Sequence, residues 1–391
     1  MKAKVLFIGE YMKPTGFGQV MRAILKHLTP VYEVTLLETT VAFEKPEQMY
    51  HGFRLLGGTD TGDAFSFKRI QQLDLNQFDV IFMINDVWGI DQFLTVFKMK
   101  DYKGKVVVYF PVDAKEHDPD WYGHFDIVSK AVTYTQFGRA EVAKAAPQLL
   151  ERGCLEVIPH GIDTDLFFAI DKPMNTIREE LWGTDKYNDD FIFLSAHRNQ
   201  PRKRLDISMK AFSIFAAGKT DVKLYMHCGN NDMSLNIVKL AARYGIAEKI
   251  IMTGDINSRG AQRLSDEMLN QTYNACNVGI NSSLGEGWSL TNTEHASVGK
   301  PQIVPNHSAC KELFDFCELI HISAEHTQDT IMTVGGIPDV QNMAAIMETY
   351  YYSSALYDQI AKKTAEKFNR SEFMWKNICK KWIQTINSVA F

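Results

Sequence analysis

Short apolar runs rich in β-branched residues recur along this chain at wide spacing, and segments with helical periodicity or turn residues separate most of them. In the first half the runs are Val5–Gly9, Val34–Glu38, Val80–Ile84, Val106–Phe110, Val132–Thr135 and Val157–Pro159. After a polar stretch the pattern restarts with Phe191–Ala196, Lys223–His227, Lys249–Thr253, Val278–Ser282, Gln302–Val304 and Leu319–Ile322. Such alternation predicts β-α-β units with buried parallel strands, and hence two doubly wound, Rossmann-like α/β domains in series.

The length of 391 residues also favours two domains, since single cores rarely exceed about 250–300 residues. We place the boundary near residue 170, with one domain at 1–170 and the other at 171–370. Residues 343–389 are predicted to be nearly all helical. Their aromatic residues are expected to pack on the domains, the alternative being an interaction surface. Because ligands of doubly wound folds bind at the carboxyl ends of the strands, a cleft between the domains is the expected site.

Composition excludes several classes of protein. The net charge of −5 argues against a broad basic surface, so no nucleic-acid partner is expected. The first apolar run has five residues and no run reaches 18, which predicts neither a signal peptide nor a transmembrane segment. Six cysteines without a C-x-x-C pair or zinc-like spacing suit a reducing compartment, and we expect a cytoplasmic protein.

A glycine-rich loop follows the first predicted strand. Gly16 and Gly18 lie between the strand Val5–Ile8 and a helix expected from about Gln19 to Leu28. Glycines allow close approach of a ligand, and a helix start favours an anion. The spacing is not G-x-G-x-x-G, and Glu38, the nearest acid after the second strand, does not complete a ribose-binding pattern. A plain strand-to-helix turn is therefore an equal alternative.

A basic loop follows the strand Phe191–Ala196. It has the sequence His197-Arg198-Asn199-Gln200-Pro201-Arg202-Lys203-Arg204, with four cations in seven residues. The carboxyl end of a strand is where a doubly wound fold binds its ligand. Arginine offers a bidentate fork to phosphate and lysine a point charge. This loop predicts a phosphate site, with a solvated charge cluster as the alternative.

A second loop, after the strand Val278–Ser282, combines glycines with acids. It contains Ser283, Leu284, Gly285, Glu286, Gly287 and Trp288. Ser289 or Thr291 is expected to cap a helix that ends before Gly299, and the amides of residues 287–291 become anion donors at its start. Glu294, one turn into the helix, can accept from paired ribose hydroxyls, while Glu286 lies on the loop. Two glutamates alone are typical of a surface, but together with the basic loop they favour a nucleotide ligand.

These residues match one family. Gly285-Glu286-Gly287-Trp288-Ser289-Leu290 through Glu294 resembles the E-G-F-G-L-x-x-x-E signature of retaining glycosyltransferases of the GT-B fold, the large group 1 family. Further matches are the spacing of Arg198 and Lys203, the stretch Val157–Asp163 followed by Phe167, the stretch Leu264–Leu269, and Gly299-Lys300-Pro301. The resemblance covers residues 130–320 well and 1–130 in outline. The divergent N-terminal half would suit a large DNA virus or a bacterium.

The resemblance implies transfer of a hexose, with retention of configuration, from a nucleotide diphosphate sugar to a glycan or a lipid- or protein-linked acceptor. GDP-mannose is the favoured donor and a UDP-sugar the alternative. Arg198 and Lys203 would bind the diphosphate, Glu294 the ribose, and Glu286 the transferred sugar. The residues whose backbone would contact the donor are Gly287, Trp288, Ser289, Leu290 and, from the N-terminal domain, Gly16 and Gly18.

The resemblance also implies that no metal or other cofactor is needed, since cations and helix dipoles bind the diphosphate. Asp118-Pro119-Asp120 is therefore interpreted as a loop. A terminal helix at about 371–391 would cross back onto the N-terminal domain. The two loops expected to select the acceptor are Lys45–Phe67 and Lys115–Phe125.

One departure from the family concerns a His-Asp pair that contacts the donor sugar. This chain has Val112-Asp113 there, so the histidine is missing; Asp113 is favoured for the role over His117. Two rival functions follow. One is a nucleotide-sugar epimerase of the same fold, and the other is a non-catalytic protein that binds nucleotides or glycans.

Overall fold

The computed structural model describes residues 2–42, 47–58, 64–253 and 264–390, and the chain forms two compact units. Unit 1 comprises Met1–Val112, Glu116–Gly161 and Trp375–Phe391, and unit 2 comprises Asp113–Lys115 and Ile162–Met374. The larger segment of unit 2 begins at Ile162, whose amide donates to the carbonyl of Phe373 at 2.6 Å. Each unit has its own sheet of mainly parallel strands.

Unit 1 contains an eight-stranded sheet in the order β3-β4-β2-β1-β5-β6-β7-β8. The strands are β1 Lys4–Gly9, β2 Glu33–Ala42, β3 Glu47–Tyr50, β4 Phe53–Gly58, β5 Val80–Ile84, β6 Lys105–Phe110, β7 Lys130–Thr133 and β8 Leu155–Val157. The helices are α1 Gly16–Leu28, α2 Phe67–Gln72, α3 Val87–Met99, α4 Gln136–Ala145, α5 Pro147–Glu151 and, from the chain end, α14 Trp375–Ala390. All neighbouring strands are parallel except β3 and β4.

The last helix completes the core of unit 1. Trp382 on α14 is fully buried, and its ring lies 4.9 Å from that of Phe82 and 4.6 Å from that of Tyr109, which belong to the central strands β5 and β6. Burial of large aromatic rings contributes strongly to core stability. The predicted crossing of the terminal helix onto the N-terminal unit is therefore confirmed.

Unit 2 contains a six-stranded parallel sheet and a separate two-stranded antiparallel sheet. The strands are β9 Phe191–Ser195, β10 Val222–Met226, β11 Ile250–Met252, β12 Val278–Ile280, β13 Gln302–Pro305, β14 Leu319–Ile320, β15 Ile322–Thr327 and β16 Val334–Pro338. The helices are α6 Met174–Trp182, α7 Leu205–Phe215, α8 Ile237–Arg243, α9 Asp266–Ala275, α10 Leu290–Ser297, α11 Ser308–Leu313, α12 Val340–Tyr352 and α13 Ser354–Phe368.

The six-stranded sheet of unit 2 has the order β11-β10-β9-β12-β13-β14. Counted within the unit, this is the Rossmann order 3-2-1-4-5-6. The strands run parallel, but the order in which they are added to the sheet changes side between β9 and β12, which is the topological switch point. Ligands of such sheets bind outside the carboxyl ends of the strands at this switch point. The basic loop follows β9 and the acidic loop follows β12, so the fold brings both predicted motifs to this point.

Two hairpins differ from the sequence prediction. Residues 47–58 form β3 and β4 rather than part of a loop, while residues 45, 46 and 59–63 of the predicted acceptor loop Lys45–Phe67 lie outside the described residues. The predicted strand Leu319–Ile322 divides into β14 and the start of β15, which pairs with β16. The side chains of β3 and β15 are mostly exposed, so neither carries the apolar run that reveals a buried strand.

Within the described ranges, no helix combines the length and the apolar character that crossing a membrane requires. The six cysteines are buried and unpaired by disulfides. They behave as small apolar side chains of the two cores, as expected.

Candidate functional site

A charge cluster of two carboxylates, Asp113 and Glu286, and two cations, Arg202 and Lys203, lies at the switch point between β9 and β12 of unit 2. Lys203 Nζ donates to Glu286 Oε1 at 2.6 Å, and the two side chains are only 14% and 6% exposed. Arg202 contacts Glu286 Oε2 at 3.4 Å, Asp113 Oδ2 at 3.3 Å and the carbonyl of Gly285. Arg202, which the sequence analysis did not single out, therefore links Asp113 to Glu286, and Glu286 also pairs directly with Lys203.

The charges of this cluster depend on one another. Burial alone would raise the pKa of Glu286, but Lys203 and Arg202 outweigh it and hold that pKa well below its usual range. Burial lowers the pKa of Lys203 against the attraction of Glu286. Removing either partner would leave a buried charge uncompensated, which is costly.

His197 is a neutral member of the same region. Burial, with a smaller contribution from Lys203, lowers its pKa to about 4. Its Nε2 lies 3.2 Å from the carbonyl oxygen of Ile280, and because a carbonyl only accepts, Nε2 carries the proton. The imidazole thus bridges the ends of β9 and β12 without adding a third positive charge at neutral pH.

Arg198, by contrast, lies outside the charge cluster. Its side chain is 58% exposed, and its Nε donates to Asp232 at 2.8 Å. Asn199, which is buried, anchors the loop through hydrogen bonds to Gly229 and Leu235. Arg198 and Lys203 therefore share a loop at the sheet edge but have different partners: Lys203 pairs with Glu286 and Arg198 with Asp232.

The acidic loop ends in the start of α10. Ser289, one of the two predicted capping residues, is the N-cap of α10, but with a φ of 75° its side chain forms no cap hydrogen bond with the helix backbone. Its hydroxyl donates instead to Asn292 Oδ1 at 2.6 Å. The first amides of α10, from Leu290 onward, lack partners within the helix, as at any helix start. They form a donor set suited to an anion.

The remaining predicted residues of this loop are buried. The indole of Trp288 lies 6.3 Å from the ring of Phe373, so this side chain packs in the core while its backbone belongs to the loop with Gly287. Glu294 is also buried, and its Oε2 accepts from the hydroxyl of Tyr273 at 2.8 Å. Tyr273 thereby orients the carboxylate predicted to bind ribose.

The backbone at Gly285 touches the segment that carries Asp113. A Cβ atom at Gly285 would overlap the carbonyl oxygen of Asp113. Lys115 of the same segment forms two backbone hydrogen bonds with Val334, each of 2.9 Å. Glycine is therefore required at 285 by close packing.

A Gly285→Ala variant is expected to lose about 1–3 kcal/mol of stability, the usual cost of overpacking. Gly123→Ala is the matched control, because Gly123 has φ of −59° and a Cβ there would approach nothing closer than 3.4 Å. Urea unfolding of both variants measures the difference. Equal midpoints for the two would contradict the packing argument.

In unit 1, the glycine loop precedes α1. The helix begins at Gly16, earlier than the predicted Gln19, and Thr15 Oγ1 caps it by accepting from the amide of Gly18 at 3.1 Å. A Cβ at Gly18 would overlap the carbonyl oxygen of Lys13. The loop is thus a tightly wound helix start.

Glu38 supports this loop from below. Its fully buried carboxylate accepts from the amides of Tyr11 and Met12 at 2.8 and 2.9 Å. All of these are contacts within the protein. Glu38 therefore holds the backbone of the glycine loop, and its carboxylate is occupied by these amides.

Asp113 and His117, the two residues predicted to take the role of the missing histidine, have different surroundings. Asp113 contacts Arg202 in unit 2, whereas His117 is buried in unit 1 with its Nδ1 2.9 Å from the hydroxyl of Tyr122. Asp118 caps a short helical turn by accepting from the amide of Asp120 at 2.9 Å, as a loop residue does. Among the described residues, no three His, Cys, Asp or Glu side chains are grouped to hold a metal ion.

Known proteins resemble the chain in sequence and in fold. Residues 176–316 match the model of the family described as glycosyl transferases group 1. Mannosylfructose-phosphate synthase of Agrobacterium fabrum is 22% identical over 245 residues, which cover 61% of this chain and 48% of the relative. The chain thus spans about half the length of that relative.

Two solved structures illustrate the similarity of fold. HepE from Anabaena, in complex with UDP and glucose, superposes with a TM-score of 0.72 at 15% identity, covering 99% of this chain and 100% of that chain. Sucrose-phosphate synthase from Thermosynechococcus elongatus reaches 0.73 at 12% identity, covering 99% of each. The chain therefore resembles group 1 glycosyltransferases over residues 176–316, and it has the predicted GT-B fold.

Proposed function

We propose that this protein transfers a hexose from a nucleotide diphosphate sugar to a hydroxyl group of an acceptor. The observation that supports this most is the cluster of Lys203, Arg202 and Glu286 beside the start of α10. Cations and the first amides of a helix together suit a diphosphate, and they lie at the switch point between β9 and β12, where such folds bind ligands.

The proposed chemistry needs no covalent nucleophile. When the bond from the sugar to the diphosphate breaks, negative charge grows on the departing oxygen, and the cations and amides stabilise that charge more than they stabilise the ground state. The departing oxygen can accept the proton of the acceptor hydroxyl. In this proposal the incoming oxygen adds on the face the diphosphate leaves, so configuration is retained.

The identity of the donor is the finer part of the proposal. The sequence prediction favours GDP-mannose. UDP-sugars have separate support, because HepE was solved with UDP-glucose as well as with UDP and glucose. A glycan or a lipid- or protein-linked hydroxyl remains the predicted acceptor, and the absence of a required metal or cofactor remains a prediction.

Nucleotide binding is expected to raise the thermal midpoint, because a ligand that binds only the folded state stabilises it by mass action. UDP, GDP and ADP are compared at equal concentration. At about 100 times its Kd, the correct nucleotide adds about 2.7 kcal/mol. No shift with any of the three would contradict the proposal. Epimerisation of the donor sugar without acceptor would favour the epimerase rival, and tight binding without donor turnover a binding protein.

A further inference from the structure

Asn281 is a fully buried asparagine directly after β12. Its Oδ1 accepts from the amide of Ser283 at 2.8 Å, which fixes the orientation of the side-chain amide. The Nδ2 group then faces three oxygen acceptors: Glu286 Oε1 at 3.1 Å, Ser289 Oγ at 3.1 Å and Asn292 Oδ1 at 3.0 Å. One side chain therefore contacts both the carboxylate of the charge cluster and the start of α10.

A chain of buried amides continues from Asn281 into the domain. Asn292 Nδ2 donates to Gln302 Oε1 at 2.9 Å, and Gln302 Nε2 lies 2.9 Å from the carbonyl of Lys300 and 3.2 Å from Nδ1 of His295. A Cβ at Gly279 would overlap the amide of Gln302. Buried polar networks whose members are hydrogen-bonded rigidify and specify local structure.

We propose that Asn281 is a positioning residue of the donor site, which holds the Glu286 carboxylate against Lys203 and fixes the first residues of α10. This inference rests on the proposed function, since it assigns Asn281 a part in donor binding. With no exposed surface, Asn281 acts through Glu286 and Ser289. Sites of this kind must hold their groups within about 0.5 Å of the productive geometry.

Two replacements of Asn281 separate its hydrogen bonds from its volume. In Asn281→Asp a second carboxylate faces Glu286, and when ionised it repels that group; when protonated it can donate to Glu286 as the amide does. Burial and a neighbouring like charge raise the pKa of such a carboxyl, so its ionisation moves from acid toward neutral pH. Asn281→Leu has no proton to donate at any pH.

The experiment measures binding of UDP and of GDP by calorimetry, and turnover of UDP-glucose and GDP-mannose, at pH 8 and pH 5.5 relative to wild type. At pH 8, Asn281→Asp and Asn281→Leu should each lose about tenfold in nucleotide affinity and in turnover, the scale of a hydrogen bond to a charged group. At pH 5.5 the loss should shrink for Asn281→Asp and persist for Asn281→Leu.

Asn274→Asp is the matched control. Asn274 is also a buried asparagine of unit 2, and its Nδ2 donates to the carbonyls of Phe168 at 3.0 Å and Asn270 at 2.9 Å. Its replacement should lower the thermal midpoint but leave the nucleotide affinity of the folded protein unchanged. An equal loss of affinity in Asn274→Asp, or wild-type affinity and turnover in both Asn281 variants, would overturn the proposal.

A double-mutant cycle tests the same contact without a ligand. Asn281→Asp, Glu286→Gln and the double variant are unfolded in urea at pH 7.5, and the double variant should be more stable than the sum of the two single losses predicts. Additive losses would overturn the positioning role. If wild type binds neither UDP nor GDP, the proposed function fails, but this cycle still decides whether Asn281 holds Glu286.

Discussion

A Lys203→Met variant is expected to lose about 10²–10³-fold in turnover and about 3–5 kcal/mol in stability. Turnover should fall because one of the groups proposed to stabilise the departing diphosphate is gone. Stability falls because Glu286, which is only 6% exposed, keeps its charge without the ammonium group that lies 2.6 Å away. Steady-state kinetics at saturating donor and urea unfolding measure the two losses separately.

The double variant Lys203→Met/Glu286→Gln separates folding from function. It removes both charges, so most of the stability should return while turnover remains low. The wild type keeps the stabilisation from Glu286 above that group's ordinary pKa of 4.5 and loses it as the pH falls below that value, because the folded-state pKa is lower. The double variant should lack this acid loss. Restored turnover in the double variant would contradict the proposed role of Lys203.

An Arg198→Ala variant is expected to lose about 10²-fold in turnover with little change in stability. In its ion pair with Asp232 the arginine side chain is 58% exposed, and ion pairs open to solvent contribute about 0–1 kcal/mol. The contact that matters would form only with the donor present. Steady-state kinetics at saturating donor and the thermal midpoint report the two effects.

Arg204→Ala provides the control for Arg198. Arg204 is on the same loop and is likewise paired with an aspartate, Asp206, at 2.9 Å, but it lines a separate cavity of about 350 Å³. Its replacement should leave turnover within about twofold of wild type, as for surface changes worth under about 0.5 kcal/mol. Unchanged turnover in Arg198→Ala, or an equal loss in both variants, would show that Arg198 has no special part in donor binding.

The sequence predicted the fold well where strands are buried on both faces. Continuous apolar runs such as Val80–Ile84 coincide with strands that lie in the centre of a sheet. It failed for β3 and β15, whose side chains are exposed or only partly buried, because an edge strand is held by backbone hydrogen bonds that leave little trace in composition.

The candidate site shows a similar division. The two motif loops and the family that they resemble pointed to Lys203, Glu286 and the helix start that follows Glu286. No pattern indicated Arg202 as the bridge from Asp113 to Glu286, although it is one of the four cations of its loop. Nor did any pattern indicate Asn281, because the direction of a side chain depends on the local backbone and on the partners around it.

By itself, the sequence determined the alternation of strands and helices, the two motif loops and the family that they resemble. Local propensity and periodicity control these features, and both can be read along the chain. Only the tertiary structure decided that β9 and β12 are neighbours, that Lys203 pairs with Glu286 while Arg198 pairs with Asp232, and that Asp113 joins unit 2. These are choices among partners distant in sequence, and they depend on strand order and on which buried charges can be compensated at the same place.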